Sequence, residues 1–335
     1  MAQGSETLLP EEILPGLFRL EIPLPNNQLK TLNSYVITGP DRNLVVDTGF
    51  NRPECLAAMR DGLQELAIDP ARTDFFITHL HADHSGLVAT LATAASRVWC
   101  SAADAKIINN IVALTPSDPY WDDLLAFARR NGFPPAEAEE AVLRHPGYRL
   151  VPERRISFAT VTSGDLINAG RYRFTCLATP GHTAGHMCLY EPDGKILLAG
   201  DHLLRDITPN ISHWRPEGNP LADYLASLAV VAGLEVKIVL PGHRRIFADC
   251  RARAGELIAH HHRRAGEVAA LLAAGPLSAY EVAGGMKWDM TYRSWADFPP
   301  PQKWFAVGEA IAHLRYLEGQ GAIGRRERDG LIVYC

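Results

Sequence analysis

The chain has 335 residues, of which 47% are hydrophobic and 21% charged, and its formal net charge at pH 7 is −5. This composition is ordinary for a globular protein with a sizeable buried core. The negative charge argues against a protein that binds nucleic acid over its whole surface, and the lack of any apolar run approaching about 18 residues argues against a membrane span.

The six cysteines are scattered along the chain and include no Cys-x-x-Cys pair. In a chain of this size, that distribution indicates reduced core residues rather than a disulfide framework. The segment Met1–Glu6 shows no basic stretch followed by an apolar one, so no secretory signal is predicted. We therefore expect a cytoplasmic protein.

The first hundred residues alternate between strand and helix patterns. Residues 12–50 contain three apolar stretches separated by turn residues, which predicts a β-meander with strands at 13–20, 32–37 and 44–49. Apolar residues at helical spacing predict a helix over 55–66. A helix is expected over 86–93 and a strand over 97–100. This alternation is typical of a layered α/β fold.

The densest group of metal-binding side chains lies in the segment Phe75–Gly86, directly after a short apolar run with strand character. Side chains at i and i+2 of a strand share a face, so His79 and His81 can converge on one point. Asp83 and His84 follow where the chain turns, and can reach a second point nearby. The alternative is a histidine-rich surface loop. So many nitrogen and oxygen donors after a buried strand favour two half-sites for a pair of metal ions.

Asp47 ends an apolar stretch shortly before Gly49. A carboxylate at this point could cap a helix. It could equally accept a hydrogen bond from an imidazole that binds metal. The residues leave both interpretations open.

Residues 104–150 interrupt the alternation with three predicted helices, divided in part by the segment Pro116–Pro119, and we expect an insertion near the mouth of the site. Its aromatic residues would give the insertion an apolar underside. Packing on the core explains most of them, although at least one could line a substrate pocket. These aromatic residues are Tyr120, Trp121, Phe127 and Phe133. The predicted helices span 104–114, 122–130 and 136–143.

A second series of strands follows the insertion. Two rounds of strands with helices suggest two sheets packed face to face, with helices outside. The predicted strands are 156–159, 172–177, 186–190, 196–200 and 237–240, and a helix is expected over 220–232.

Residues 251–335 differ in character from the rest of the chain. Ser278 is a plausible N-cap, and Glu327–Gly330 is predicted to be a hairpin turn. Three helices and a terminal hairpin resemble a small winged-helix-like module, so we divide the chain into domains at 1–250 and 251–335. The three helices are expected at 251–273, 278–283 and 304–318.

Three further candidate ligands each lie at the end of a predicted strand. His182 lies in a glycine-rich turn, Asp201 follows Gly200, and His243 follows Gly242. A single histidine in a turn is more often a surface residue than a ligand. Three such positions after the first cluster instead indicate one composite metal site.

With these motifs the chain resembles the metallo-β-lactamase superfamily over roughly residues 12–250. The resemblance implies an α/β fold of the αββα sandwich type, here with a helical insertion and a winged-helix-like C-terminal domain. The residues that match the ligand series of the superfamily in type and order are His79, His81, Asp83, His84, the turn Gly181-His182-Thr183, Asp201 and His243.

The resemblance also implies how two divalent ions would be held. The ligands of the first ion would be His79, His81 and His182. Those of the second would be Asp83, His84 and His243. Asp201 would bridge both ions, and Asp47 would support a ligand from behind.

Imidazole and carboxylate ligands suit zinc, with iron or manganese as alternatives, because no thiolate demands a softer metal. Two such ions can hold a bridging hydroxide as the nucleophile and polarise a carbonyl or phosphoryl oxygen. Asp83 is a candidate for orienting the hydroxide or transferring a proton, and Asp201 is the second candidate catalytic residue. No organic cofactor is predicted.

The identity of residue 201 narrows the activity, because in the superfamily a bridging aspartate is usual for glyoxalase II, lactonases and nucleases. Asp201 therefore counts against a β-lactamase. His186 is expected to make a structural hydrogen bond, while the role of His202, which could face substrate, stays open. Trp214 is a further candidate for the pocket wall.

The leading hypothesis is a dinuclear metal hydrolase that acts on a small ester, thioester or lactone. The second is a phosphodiesterase that cleaves single-stranded RNA, because a metallo-β-lactamase domain followed by a winged helix resembles a group of small endoribonucleases. A third is a metal-dependent scaffold or sensor, and redox chemistry at a di-iron centre is a fourth. We expect a small-molecule substrate, no membrane partner, and a homodimer as one option. The arginines that could hold RNA phosphates are Arg244, Arg245, Arg263 and Arg264.

Overall fold

The computed structural model describes residues 9–115 and 117–335. The expectations for Met1–Glu6 and for Pro116 therefore lie outside the described residues. The first of three sheets has seven strands in sequential order, antiparallel from β1 to β4 and parallel from β4 to β7. Its strands are β1 (Glu11–Leu14), β2 (Leu17–Pro23), β3 (Thr31–Ile37), β4 (Asn43–Val46), β5 (Thr73–Phe76), β6 (Val98–Ser101) and β7 (Phe158–Val161).

The prediction of one continuous strand over 13–20 is wrong, because the chain forms a tight hairpin there. Leu14 pairs with Leu17 across the turn, and Gly16 has a φ of 75°. Glycine adopts this left-handed conformation without the steric cost that a Cβ would add. Pro15 has no N–H to contribute to a ladder, so a break at this point follows from local chemistry.

The second sheet has five strands in the order β12-β11-β10-β9-β8. The strand predicted at 156–159 lies in the first sheet as β7, where it runs parallel to β6. The short strand β8 was not predicted, because four residues are too few to show the alternation of a strand, and the apolar Leu166 lies on its exposed face. The strands are β8 (Leu166–Ala169), β9 (Tyr172–Ala178), β10 (Met187–Glu191), β11 (Ile196–Gly200) and β12 (Ile238–Pro241).

Helices cover the outer faces of both sheets. The α-helices are α1 (Pro53–Glu65), α2 (Ala82–Ser85), α3 (Val88–Leu91), α4 (Ala102–Val112), α5 (Pro119–Arg130), α6 (Pro135–Arg144), α7 (Pro146–Arg149), α8 (Pro220–Ala232), α9 (Cys250–Leu272), α10 (Ala279–Gly285) and α11 (Pro300–Gly319). Short 3-10 turns lie at Pro70–Arg72 and Trp295–Asp297. The helix predicted over 86–93 is in fact α3, a single turn preceded by α2.

The two sheets face each other across a buried apolar layer, as the sandwich expectation requires. Tyr35 and Phe76 of the first sheet pack in one cluster with Phe174 and Leu198 of the second. On the outer faces, α1 and α4 cover the first sheet, and α8 covers the second together with the first half of α9. Burial of these apolar surfaces is the main force that holds the layers together. The αββα arrangement is confirmed.

The insertion packs on the C-terminal helices. Apolar residues of α5 and α6 share one cluster with residues of α9, α10 and α11. Phe133 lies in this cluster and is 2% exposed, while the other three aromatic residues pack at its edge. Core packing therefore accounts for most of these aromatics, as expected.

The C-terminal segment also contains a third sheet, with the strand order β13-β15-β14. Ser278 caps α10 in a complete capping box with Glu281, so its predicted N-cap role is confirmed. The predicted hairpin is present, and its turn contains Asp329 and Gly330 at positive φ. The strands are β13 (Leu277–Ser278), β14 (Arg325–Arg328) and β15 (Leu331–Tyr334).

All six cysteines are free thiols, and five of them are buried, with Cys335 exposed. The expectation of core residues therefore holds for five cysteines and is wrong for Cys335. Across residues 9–115 and 117–335, no helix combines the length and the apolar character needed to cross a bilayer.

Candidate metal centre

The candidate ligands follow the carboxyl ends of four strands, and Asp47, which supports them, follows a fifth. Asp47 lies after β4, and the His79–His84 segment lies after β5 and extends into the short helix α2. His182 follows β9, Asp201 follows β11 directly, and His243 follows β12. Because β9, β11 and β12 run in the same direction within their sheet, their carboxyl ends meet at one edge.

All seven predicted ligands converge at this edge. Three overlapping groups each offer ligand atoms that lie within 4.8 Å of one another. The first and third groups are the two ligand sets that the sequence resemblance implies. The groups are His79, His81 and His182; His79, His84 and Asp201; and Asp83, His84 and His243.

Asp201 lies between the two ligand sets. Its Oδ2 is 3.6 Å from Nε2 of His182 and 3.5 Å from Nε2 of His243. Its Oδ1 is 3.5 Å from Nε2 of His84. A carboxylate in this position can contribute an oxygen to each of two neighbouring ions.

The first ligand set presents neutral imidazoles. Nδ1 of His79 donates to the Thr78 hydroxyl at 3.0 Å, and that hydroxyl donates to Asp47 at 2.8 Å. These two hydrogen bonds leave Nε2 of His79 without a hydrogen. That Nε2 lies 3.0 Å from Nδ1 of His81. Burial lowers the pKa of His79 well below its usual value and that of His81 to about 3. Both rings therefore keep a lone pair for a metal ion.

The second set is oriented by hydrogen bonds from behind. Nδ1 of His84 donates to Oδ2 of Asp47 at 2.7 Å, and Nδ1 of His243 donates to the Thr31 carbonyl at 2.8 Å. In each ring, Nε2 then points toward the centre. Asp47 also accepts the Thr78 N–H at 2.9 Å, so its carboxylate supports imidazoles and caps no helix.

The carboxylates give the site a strong preference for positive charge. Burial disfavours a charged imidazole, yet Asp201 and Asp83 outweigh burial and raise the pKa of His243 to about 10. Burial likewise opposes ionisation of Asp83, but His84 and His243 lower its pKa to about 2. A divalent cation would supply the same positive charge to these carboxylates.

Buried polar atoms without hydrogen-bond partners are a second observation that supports a metal centre. Four buried polar atoms at the centre have no hydrogen-bond partner within the described part of the chain. Buried polar atoms are rarely left unpaired, and imidazole nitrogens with carboxylate oxygens are the donors that bind zinc and similar ions. These atoms are Nε2 of His84, His182 and His243, and Oδ1 of Asp201.

The site opens to solvent on one side. His81 and His182 are partly exposed, whereas the other ligands are buried. A substrate would therefore approach over the first ligand set. Arg215 is exposed, and its positive charge lowers the pKa of Asp104 and of Tyr148, although burial is the larger effect and raises the pKa of both groups.

Sequence reasoning missed Asp104, which was treated only as the start of an insertion helix. Its buried carboxylate accepts hydrogen bonds from the Leu80 N–H at 2.9 Å, the Thr183 hydroxyl at 2.6 Å and the Gly185 N–H at 2.9 Å. Leu80 lies between two ligands, and Thr183 follows a third. Nothing in the sequence near Asp104 indicates these contacts, because all three partners are distant along the chain.

The two histidines of open role are both buried. His186 interacts through Nδ1 with the Thr179 hydroxyl at 2.8 Å and accepts the Asp201 N–H through Nε2 at 3.2 Å, which is a structural hydrogen-bonding role. His202 has no exposed surface and packs edge-on against Tyr224, with ring centroids 5.3 Å apart. A substrate contact by His202 is therefore not supported. The Trp214 ring stacks on the Trp304 ring, with the ring centroids 3.8 Å apart.

Most of the arginines considered for RNA binding are engaged within the protein. Arg244 donates to the Gln28 carbonyl at 2.9 Å, and Arg245 pairs with Asp206 at 2.8 Å. Arg264 is 9% exposed and pairs with Glu267 at 2.7 Å. These contacts occupy three of the four arginines considered, although Arg245 stays largely exposed.

Two protein families match the sequence. The family described as "Metallo-beta-lactamase superfamily" matches residues 30–243. The family described as "Metallo-beta-lactamase-like, C-terminal domain" matches residues 265–335. The first match alone covers more than half of the chain.

Two solved structures are similar over nearly the whole chain. A metallo-beta-lactamase family protein from Thermus thermophilus has a TM-score of 0.80 at 29% identity, with 96% of this chain and 99% of that chain covered. A beta-lactamase domain protein from Burkholderia ambifaria has a TM-score of 0.80 at 26% identity, with 99% and 97% covered. The similarity therefore includes the C-terminal segment.

Named relatives include an enzyme that acts on thioesters. Acyl-coenzyme A thioesterase MBLAC2 from Gallus gallus is 30% identical over 227 residues, which cover 64% of this chain and 73% of the relative. Probable metallo-hydrolase YqjP from Bacillus subtilis is 23% identical over 295 residues, which cover 86% of this chain and 88% of the relative. Thioesterase pkgB from Emericella nidulans is 24% identical and is covered over 59% of its length.

Proposed function

This chain belongs to the metallo-β-lactamase superfamily and is a hydrolase, and we propose that it cleaves the acyl bond of small thioesters and esters at a centre of two divalent ions. Zinc is the ion that its imidazole and carboxylate donors suit best. Lactones, which are cyclic esters, belong to the same substrate class.

One observation carries this proposal: the Asp201 carboxylate lies between two complete sets of candidate ligands, within 3.6 Å of Nε2 of His182 and 3.5 Å of Nε2 of His243. Bound divalent ions would supply a water activated at neutral pH and would polarise the acyl carbonyl. The buried hydrogen bonds to His84 and His243 hold both rings in position, so little reorganisation is needed when ions bind.

Asp83 is proposed to orient the attacking water. Its side chain is 12% exposed, and Oδ2 lies 3.4 Å from Nε2 of His243. Because its pKa is lowered to about 2, the carboxylate is ionised at neutral pH and can accept a hydrogen bond from that water. A carboxyl group with so low a pKa is a weak base, so orienting the water is the role we assign to it.

The thioester preference is supported by the relatives named as thioesterases. Exposed Arg215, whose charge acts on Asp104, is proposed to attract a phosphorylated acyl carrier. The bridging position of Asp201 continues to argue against a β-lactam substrate.

We also propose that residues 251–335 form a winged-helix-like module whose role is packing. The order α9, β13, α10, α11, β14, β15 supports that architecture. The third helix, α11, is largely buried and packs against α6, α8, α9 and α10, so it presents no free face to a nucleic-acid groove. RNA cleavage is therefore not the function we favour.

The test is a comparison of substrates with one matched pair of variants. Purified protein loaded with zinc is assayed with an acyl-coenzyme A, p-nitrophenyl acetate, a homoserine lactone, bis-p-nitrophenyl phosphate and labelled RNA. We expect acyl turnover that His81→Ala abolishes and that His262→Ala, at an exposed histidine of α9, leaves intact. Cleavage of the phosphodiesters without acyl turnover would overturn the proposal.

A further inference from the structure

The connection between Asp201 and α8, which we call the 202–219 loop, is held by the C-terminal helices. Arg253 of α9 donates through Nε to the Leu204 carbonyl at 2.7 Å and through Nη2 to the Ile207 carbonyl at 2.9 Å. Two hydrogen bonds from one partly buried guanidinium fix the first part of this loop on α9.

The second part of the 202–219 loop lies on α11. The His213 N–H donates to the Gly308 carbonyl at 3.0 Å, and the Trp214 ring stacks on Trp304 at 3.8 Å with an angle of 13° between the planes. A Cβ added at Gly308 would lie 2.6 Å from the indole nitrogen of Trp214, so glycine is needed for this close approach. The loop is therefore fitted closely to α11.

This loop also contacts a candidate metal ligand directly. The Asn210 carbonyl accepts a hydrogen bond from Nδ1 of His182 at 2.8 Å. Because a carbonyl oxygen can only accept, Nδ1 must carry the hydrogen, and Nε2 keeps its lone pair. That Nε2 is buried, has no partner within the described part of the chain, and faces Asp201 at 3.6 Å.

The side chain of Asn210 connects this contact to α11. Its Nδ2 donates to Oε2 of Glu309 at 3.3 Å, and Oε1 of Glu309 lies 3.6 Å from Nη2 of Arg264 on α9. The Glu309 side chain is 13% exposed, so the contact is well shielded from water. Ser212 donates to Oδ1 of Asn210 and fixes the orientation of the amide.

We propose that Glu309 is a positioning residue for the metal centre, which acts through Asn210 to hold His182 with its Nε2 directed at the ion. The inference deepens the proposed function, because it rests on His182 being a ligand. It assigns the C-terminal helices a role in metal affinity rather than in partner binding. Groups that orient a ligand from behind typically change metal affinity by about 10- to 100-fold when removed.

The test measures metal retention rather than turnover. Each variant is loaded with zinc and dialysed against increasing chelator, and the zinc remaining per chain is determined by elemental analysis. We expect Glu309→Leu to lose one ion at roughly tenfold lower chelator than the parent protein. Glu309→Gln keeps an oxygen that accepts from Asn210, and should restore parental retention.

Two further variants decide whether the link runs through Asn210. Asn210→Ala keeps the carbonyl that His182 uses but removes the contact with Glu309, so it should weaken retention as Glu309→Leu does. The double variant should be no weaker than either single one, because both remove the same link. Glu318→Leu is the control, since Glu318 also lies on α11 as a half-buried carboxylate but pairs with Arg325.

Equal retention by Glu309→Leu and the parent, or additive losses in the double variant, would overturn the inference. Cobalt-loaded protein provides a second readout, because displacement of a ligand alters the visible absorption spectrum while a loss of fold stability alone does not. His182→Ala separates this inference from the proposed function. If that variant retained all its metal, the ligand assignment itself would fall.

Discussion

At the residue scale, Asp104 joins two ligand loops that are far apart in sequence. Its three hydrogen bonds hold Leu80, between His79 and His81, and the turn that follows His182. An ionised carboxylate is suited to this position because it accepts from every direction and donates nothing.

Asp104→Asn should therefore weaken the site although the two side chains have the same shape. The amide would turn an N–H toward backbone or hydroxyl donors, which leaves buried groups unpaired and costs about 1–3 kcal/mol. Chemical denaturation should show the loss, and the zinc content after dialysis should fall. Asp61→Asn on the exposed face of α1 is the control. Unchanged stability and zinc content in Asp104→Asn would contradict the role.

At the element scale, α9 and α11 meet through a pair of buried histidines. Nδ1 of His261 lies 3.3 Å from Nε2 of His313, and neither ring is exposed. Burial lowers the pKa of His261 to about 2 and that of His313 to about 4, and both His260 and Arg264 act in the same direction. The backbone carbonyl of Glu309 opposes this shift at His313 without cancelling it.

The helix pair should therefore become less stable as the pH falls. Below pH 6.5 the unfolded chain takes up protons on these two rings, while the folded chain stays neutral until about pH 4. The contribution of the two neutral rings to the free energy of unfolding is complete above pH 6.5 and is lost between pH 6.5 and about pH 4. Glutamine has no group that titrates in this range. Between pH 7 and pH 5, the free energy of unfolding of His313→Gln should therefore fall by about 1–2 kcal/mol less than that of the parent protein. Unfolding free energies at both pH values test this, with His262→Gln as control; parallel curves would refute it.

At the scale of the whole molecule, the insertion and the C-terminal segment share one core. Lys303 of α11 is 4% exposed, and its ammonium pairs with both carboxylate oxygens of Glu137 on α6, at 3.0 and 2.9 Å. The Glu137 side chain is 32% exposed, so water screens the pair in part. The charge of Lys303 still depends on this partner.

Removing one member of this pair should cost more than replacing both. Glu137→Gln leaves a buried ammonium with a neutral partner, and should destabilise the fold by about 1–3 kcal/mol. Glu137→Met with Lys303→Met should recover most of that loss. Glu139→Gln, in the exposed Arg129 pair, should change stability by less than about 0.5 kcal/mol. Thermal or denaturant unfolding distinguishes these outcomes; equal effects of Glu137→Gln and Glu139→Gln would argue against a shared core.

Local patterns predicted much of this fold and its candidate site. The His79–His84 segment after a buried strand, together with the strand-end positions of His182, Asp201 and His243, identified all seven candidate ligands. Alternating strands and helices gave the sandwich. One error was to overlook the local turn signal of Pro15–Gly16, and another was to miss β8, which has only four residues.

The sequence by itself determined which side chains could meet a metal ion, because ligand chemistry and strand-end position are both local properties of the chain. Only the tertiary structure decided what holds those side chains in place. Asp47, Asp104 and Asn210 act through hydrogen bonds to residues 24 to 81 positions away. Such partners are chosen by how sheets and helices pack, and packing depends on the whole chain at once.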